Sequence, residues 1–169
     1  MEMESLLQYV DKTKVECLNV SAEHPLANIW QESTDLYVAS ENDSQLLINI
    51  GFTQPVRLAS VKLKAVNGGV EDGTAASILK FFINRPAMDF SQAETEAPTQ
   101  SISLTRDQVH LGNVIPLRFV KFQNICNVII FVEDNMGADI TKIASLDLLG
   151  SAGEQMNMKD WVAPVEQSE

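Results

Sequence analysis

Cysteine is scarce. The chain has two, Cys17 and Cys126, far apart and in no C-x-x-C pair. That argues against a disulfide framework and against a structural zinc site, which needs about four Cys or His ligands at close spacing. Two reduced thiols fit a cytosolic protein. In "FQNICNVIIF" Cys126 reads as a small buried hydrophobe, and Glu16 beside Cys17 disfavours a reactive thiolate. Histidine is equally rare: His24 precedes Pro25, and His110 reads as a loop residue after "TRDQV". Neither has a partner at ligand or triad spacing. No apolar run approaches the roughly 18 residues that span a bilayer. The opening "MEMESLLQYVDK" is acidic and lacks the apolar core of a signal peptide. Basic residues are outnumbered, 12 Lys and Arg against 23 Asp and Glu, for a net charge of -11. Phosphate backbones and anionic membranes repel such a chain, which excludes nucleic-acid and membrane partners and leaves protein partners with basic patches open. The acids are spread along the sequence, as on a solvated surface. These absences lead us to expect a soluble monomer, cytoplasmic, with the nucleus also open to it.

Catalytic signatures are missing too. There is no G-x-S-x-G, H-E-x-x-H, Walker loop or G-x-G-x-x-G. "NGGVEDG" has glycines but no Lys followed by Ser or Thr, and reads as a surface loop. Glu133, Asp134 and Asp139 flank "NMG" without EF-hand spacing, so a solvated loop is favoured over a calcium site. No catalytic residue, cofactor or metal is expected, and the chain is read as no enzyme.

What the sequence does have is β pattern. At 169 residues and 45% hydrophobic it can close one domain around a sizeable core. "SLLQYV" spaces Leu6, Leu7 and Val10 for one short N-terminal helix, and residues 16–35 read as an irregular loop anchored by Trp30. "LLINIGF" puts Leu46, Ile48, Ile50 and Phe52 on one face. In "VRLASVKLKAV" the phase slips from Val56 and Leu58 to Val61, Leu63 and Ala65, which predicts a β-bulge near Ala59 and Ser60. "DLYVAS", "SILKFFIN", "QSISLT", "PLRFVKF", "VIIFVED" and "KIASLDLLG" complete about eight short antiparallel strands. The pattern is all-β, two sheets face to face as a sandwich or jelly roll, with the domain over residues 6–150. Residues 151–169, with Met156, Met158 and Trp161, read as a tail that is packed back or flexible.

"RPAMDF", after the strand "SILKFFIN", offers two readings. Met88 and Phe90 fold under as a plug of the sandwich, or they stay exposed beside Arg85 as a Met, aromatic and Arg patch of the kind found at interfaces. The candidate partner surface is Arg85, Met88, Asp89 and Phe90, joined by Asn135 and Met136 if the "VEDNMG" turn lies nearby.

Several blocks in order, "QLLINIGFTQPVRLASVKLK", "LKFFINRPAMDFSQAE", "PTQSISLT", "IPLRFVKFQNICNVIIFVEDNMGADITKI" and "LDLLG", resemble the PITH domain over about Leu6 to Gly150. "FINRPAMDF" and "VKFQN" are the most telling. The resemblance implies a jelly-roll β-sandwich similar to galactose-binding-like domains. It also implies a non-catalytic role, docking on the proteasome regulatory particle. PITH domains occur fused to a thioredoxin half that carries a Trp-Cys-Gly-Pro-Cys motif, and as stand-alone proteins. That motif is absent here, and both origins stay open. "TAAS" replaces the Gly-Pro usual before the "K-F-I-N" strand, and the C-terminus has no histidine. Two competing readings remain: a small-ligand or carbohydrate-binding sandwich using Trp30 or Trp161, by analogy of fold alone, and a redox protein using Cys17 or Cys126.

Overall fold

In the computed structural model, which describes residues 3–30 and 35–152, the chain enters through β1 (Glu4–Ser5) and a 3-10 turn over Leu7–Tyr9. Next come β2 (Val10–Leu18), a second 3-10 turn over Leu26–Trp30, β3 (Val38–Ala39) and β4 (Leu46–Lys64). Helix α1 (Gly69–Asp72) precedes β5 (Ala76–Ile83), α2 (Phe90–Thr95) precedes β6 (Gln100–Ser103), and α3 (Arg106–Leu111) precedes β7 (Val114–Pro116). A 3-10 turn over Phe119–Lys121 leads into β8 (Ile125–Asn135), β9 (Lys142–Ile143) and β10 (Ser145–Ser151).

Strand β4 organises the molecule. At 19 residues it is far longer than one layer needs, the usual strand having about 5–6. Its first part, Leu46–Gly51, runs between β2 and β8. Its last part, from Arg57 on, runs beside β10 and β7. The ladder to β8 loses register between Gly51 and Val56, where Pro55 has no N–H to give. The two strands read from "LLINIGF" and "VRLASVKLKAV" are therefore one strand with a corner, passing from one layer of the sandwich to the other. One layer holds β2, β4, β8, β5 and β6. The other holds β1, β10, β4 and β7, and every pairing is antiparallel. The expected all-β sandwich is the fold.

The bulge lies where the phase slip puts it. Leu149 pairs with Ser60, but Gly150 pairs with Leu58, so Ala59 is the extra residue. This lets Val56, Leu58, Val61 and Leu63 all point into one core. That core also takes Leu46, Ile48 and Ile50 from β4, Leu79 and Phe81 from β5, and Val128, Ile130 and Val132 from β8.

Some local readings differ. "PLRFVKF" is not a strand: β7 stops at Pro116, and the turn at Phe119–Lys121 swings Phe122 into the core, edge-on to Phe81 at 6.1 Å. The loop "NGGVEDG" holds α1 between Gly68 and Gly73, both left-handed. His110 lies on α3, not in a loop. Both α2 and α3 begin with a reciprocal capping box, Asp89 with Gln92 and Thr105 with Gln108. The residue spacing D-x-x-Q and T-x-x-Q is the signal that could have found them. Strand β2 was missed because its sequence is charged and its ladder slips between Val10 and Val15. The tail, with Met156, Met158 and Trp161, lies outside the described residues.

Candidate interaction surfaces

The segment "RPAMDF" starts from a reversal at Asn84, which sits at φ 55. Asparagine tolerates this left-handed conformation better than most residues. Its Oδ1 accepts from the Cys126 N–H at 2.7 Å, and Asn127 Nδ2 donates to the Arg85 carbonyl at 2.6 Å. The chain then lies over the outer face of the β2–β4–β8–β5 layer. Met88, 7% exposed, packs with Leu47, Phe82, Ala93, Ile129 and Phe131, and Phe90 meets Phe131 edge-on at 6.1 Å. The cause is in the strands. "VIIFV" in β8 is apolar at both parities, so Val128, Ile130 and Val132 fill the inner core while Ile129 and Phe131 need a second cover. The plug reading is right in kind, but the plug roofs a sheet face and not the end of the sandwich.

The remaining candidates separate. Asp89 is exposed and caps α2. Arg85 is half-exposed and engaged with Glu96. Ala76 of β5 pairs with Asn135 while Ile83 pairs with Val128. Asn135 and the Arg85 turn therefore sit at opposite ends of that ladder, roughly 20 Å apart at about 3.4 Å per residue. Asn135 is itself buried. Its Nδ2 donates to the carbonyls of Ala138 and Ile140 and its Oδ1 accepts from Gly137 N–H. Met136 packs on the main core. The joint patch is corrected: Met88 and Asn135 are structural, and the two segments do not converge.

The thiols also exchange places. Cys126 is exposed, in an open cleft beside Arg85, Pro86 and Asn127. Cys17 is half-buried against the core, and burial pushes its thiol up to about 12. His24 stacks on Tyr37 with ring centroids 4.2 Å apart, and His110 is exposed. Glu133 pairs with Lys80 at 2.9 Å. Among the described residues no three His, Cys, Asp or Glu side chains gather as metal ligands.

Two open clefts among the described residues gather several polar side chains. The first, about 400 Å³, lies beside the Arg85 turn and includes Lys14, Glu16, Asn49, Cys126 and Asn127. Its polar groups are largely satisfied from within: Asn127 donates to Asn49 and Arg85 binds Glu96. The second, about 470 Å³, lies where β10 begins beside the end of β4. It is lined by Trp30, Lys62, Lys64, Asn67, Leu111 and Asp147, among others. Nothing in the sequence pattern brought these six together, because they come from four separate segments, Trp30, Lys62 to Asn67, Leu111 and Asp147.

The sequence model of the family described as the PITH domain matches residues 1–167. The chain belongs to the PITH domain family. Thioredoxin-like protein 1 of Schizosaccharomyces pombe is 35% identical over 149 residues, which is 86% of this chain and 51% of that protein. PITH domain-containing protein 1 of Homo sapiens is 33% identical over 147 residues, 83% of this chain and 66% of that protein. This PITH chain thus spans about half the length of the yeast relative and about two thirds of the human one. In fold it is similar to the family 32 CBM of C. perfringens NanJ, solved in complex with galactose. The TM-score is 0.64 at 8% identity, covering 88% of this chain and 99% of that one. An F5/8 type C domain from Bacteroides fragilis gives a TM-score of 0.58 at 13% identity over 85% of this chain and 95% of that one. At these identities the likeness is one of fold, and it agrees with the galactose-binding-like jelly roll that the sequence resemblance implies.

Proposed function

We propose that this PITH domain is a non-catalytic interaction module that docks on the proteasome regulatory particle in the cytoplasm. Membership of the PITH family carries the reading. One feature of the structure is consistent with it. The thiol nearest the core is held up at about 12, so it is protonated at neutral pH. A rigid sandwich then offers shape and charge as its working surface. The test is capture of regulatory particles by the immobilised chain from cytosolic extract, scored by particle subunits in the eluate. Retention of those subunits above a fold-matched control supports the reading, and their absence ends it.

A second reading follows from the galactose complex of the NanJ module: sugar binding in the cleft that holds Trp30, Asn67 and Asp147. Aromatic and polar groups side by side are what a sugar ring needs, one for its apolar face and the other for its hydroxyls. Titration with galactose separates the two, since docking on a protein needs no sugar affinity.

A further inference from the structure

Lys62 and Lys64 stand two residues apart on β4 and so project from the same face. In register beside Lys62 lie Asp147 on β10 and Val114 on β7, and beside Lys64 lies Ser145. Among the described residues neither lysine forms an ion pair, whereas Lys14, Lys80 and Arg85 each have a carboxylate partner. The nearby acid, Asp147, accepts a hydrogen bond from the Ser5 hydroxyl at 2.7 Å. Leu111, 63% exposed, shares the cleft with both lysines and Trp30, and Val114, 55% exposed, extends the apolar surface beyond it. Two ammonium groups without an ion pair thus sit, with the single carboxylate of Asp147, among an aromatic ring and exposed aliphatic side chains, on a chain whose net charge is -11.

We propose that this cleft is the docking site for an acidic peptide segment of a protein partner, with carboxylates on Lys62 and Lys64 and an apolar side chain against Trp30 and Leu111. The assignment rests on the docking reading above and locates it on the molecule. Charge complementarity selects the occupant. The two lysines outnumber Asp147, the one acid among the described residues that line the cleft, so a carboxylate-bearing segment meets an unmatched ammonium group while its anchor covers exposed apolar surface. The overall negative charge does not oppose this at contact range, because salt screens interactions beyond about 8 Å at physiological ionic strength. The first cleft lacks this open capacity, since its arginine is already paired with Glu96 and Asn127 already donates to Asn49.

The probe is a fluorescein-labelled peptide of Asp and Glu residues around a central Leu-Phe pair, titrated by anisotropy. A Lys-for-acid version serves as control. The wild-type chain is expected to bind the acidic probe, more weakly as salt rises, and to leave the basic control unbound. The double variant K62E/K64E is expected to lose at least about tenfold in affinity, with K62S/K64S intermediate and Leu111→Ser weaker than wild type. All of these residues face solvent or the cleft, and melting temperature checks that each variant folds. Equal affinity of the folded variants and wild type for the probe overturns the assignment, as does equal binding of the basic control. Galactose binding that Trp30→Ala abolishes and K62E/K64E leaves intact also overturns it, giving the cleft to a sugar. Regulatory particles provide the separating arm. Capture that survives K62E/K64E keeps the docking reading and rejects this cleft. Probe binding through the lysines without particle capture keeps the cleft and rejects the proteasome.

Discussion

Arg85 and Glu96 hold each other in a two-point ion pair, Nη1 to Oε1 at 2.5 Å and Nη2 to Oε2 at 3.3 Å. The pair ties the start of the segment that roofs the sheet to the residue that ends α2. A forked guanidinium matches a carboxylate with two parallel bonds, which fixes orientation as well as distance.

This pair makes stability depend on pH. The Glu96 carboxyl is held below its ordinary value, first by the hydrogen bond from Arg85 and then by its charge. A carboxyl with a lowered folded-state pKa adds stability that is present above its unfolded pKa and is lost as pH falls through the folded pKa. Glu96→Gln should therefore melt below wild type at neutral pH, with the gap closing on acidification. Melting curves from neutral pH down through the carboxylate range check this, and a gap that is constant with pH contradicts it.

Met88→Ala removes a side chain from the cover of Ile129 and Phe131. Buried Met-to-Ala changes cost about 2–5 kcal/mol. Here, in a small peripheral cluster, about 2 kcal/mol is expected in urea unfolding. A cost near zero shows that Met88 is a surface residue.

Gly150 faces the bulge at Ala59, and a β-carbon there would sit on the carbonyl oxygen of Arg57. Gly150→Ala should destabilise by about 3 kcal/mol or more, since backbone must move to admit the methyl. Soluble expression and melting temperature measure this. A variant as stable as wild type rejects the bulge geometry.

The two thiols should react unequally. Exposed Cys126 is expected to be labelled quickly by a maleimide at neutral pH, and Cys17, pushed up to about 12 by burial, slowly. Peptide mapping of labelled protein decides it, and the reverse order contradicts it.

The inner core was legible in the sequence because period two carries it. Leu46, Ile48 and Ile50 are buried as their alternation requires, and the slip between Leu58 and Val61 marks the bulge. The outer cover was harder to see. "VIIFV" shows that β8 is apolar on both sides, but nothing local says that Met88 and Phe90 supply the cover. That depends on the chain reversal at Asn84 and on the hydrogen bond from Asn127 to Arg85. Cys126 was misread for a related reason. It flanks the apolar run without sharing its cover. The Lys62 cleft was invisible because Trp30, Leu111 and Asp147, each from a different element, join Lys62, Lys64 and Asn67 only in the folded sandwich.

The central claim, docking on the proteasome regulatory particle, is tested most directly by titrating the labelled chain with purified regulatory particles and following anisotropy. Saturable binding to one class of site, competed by unlabelled chain and weakened by added salt, is the expected result. An anisotropy that stays flat up to particle concentrations of about 10 μM, where a dissociation constant near 1 μM corresponds to about 8.2 kcal/mol of binding energy, would contradict it.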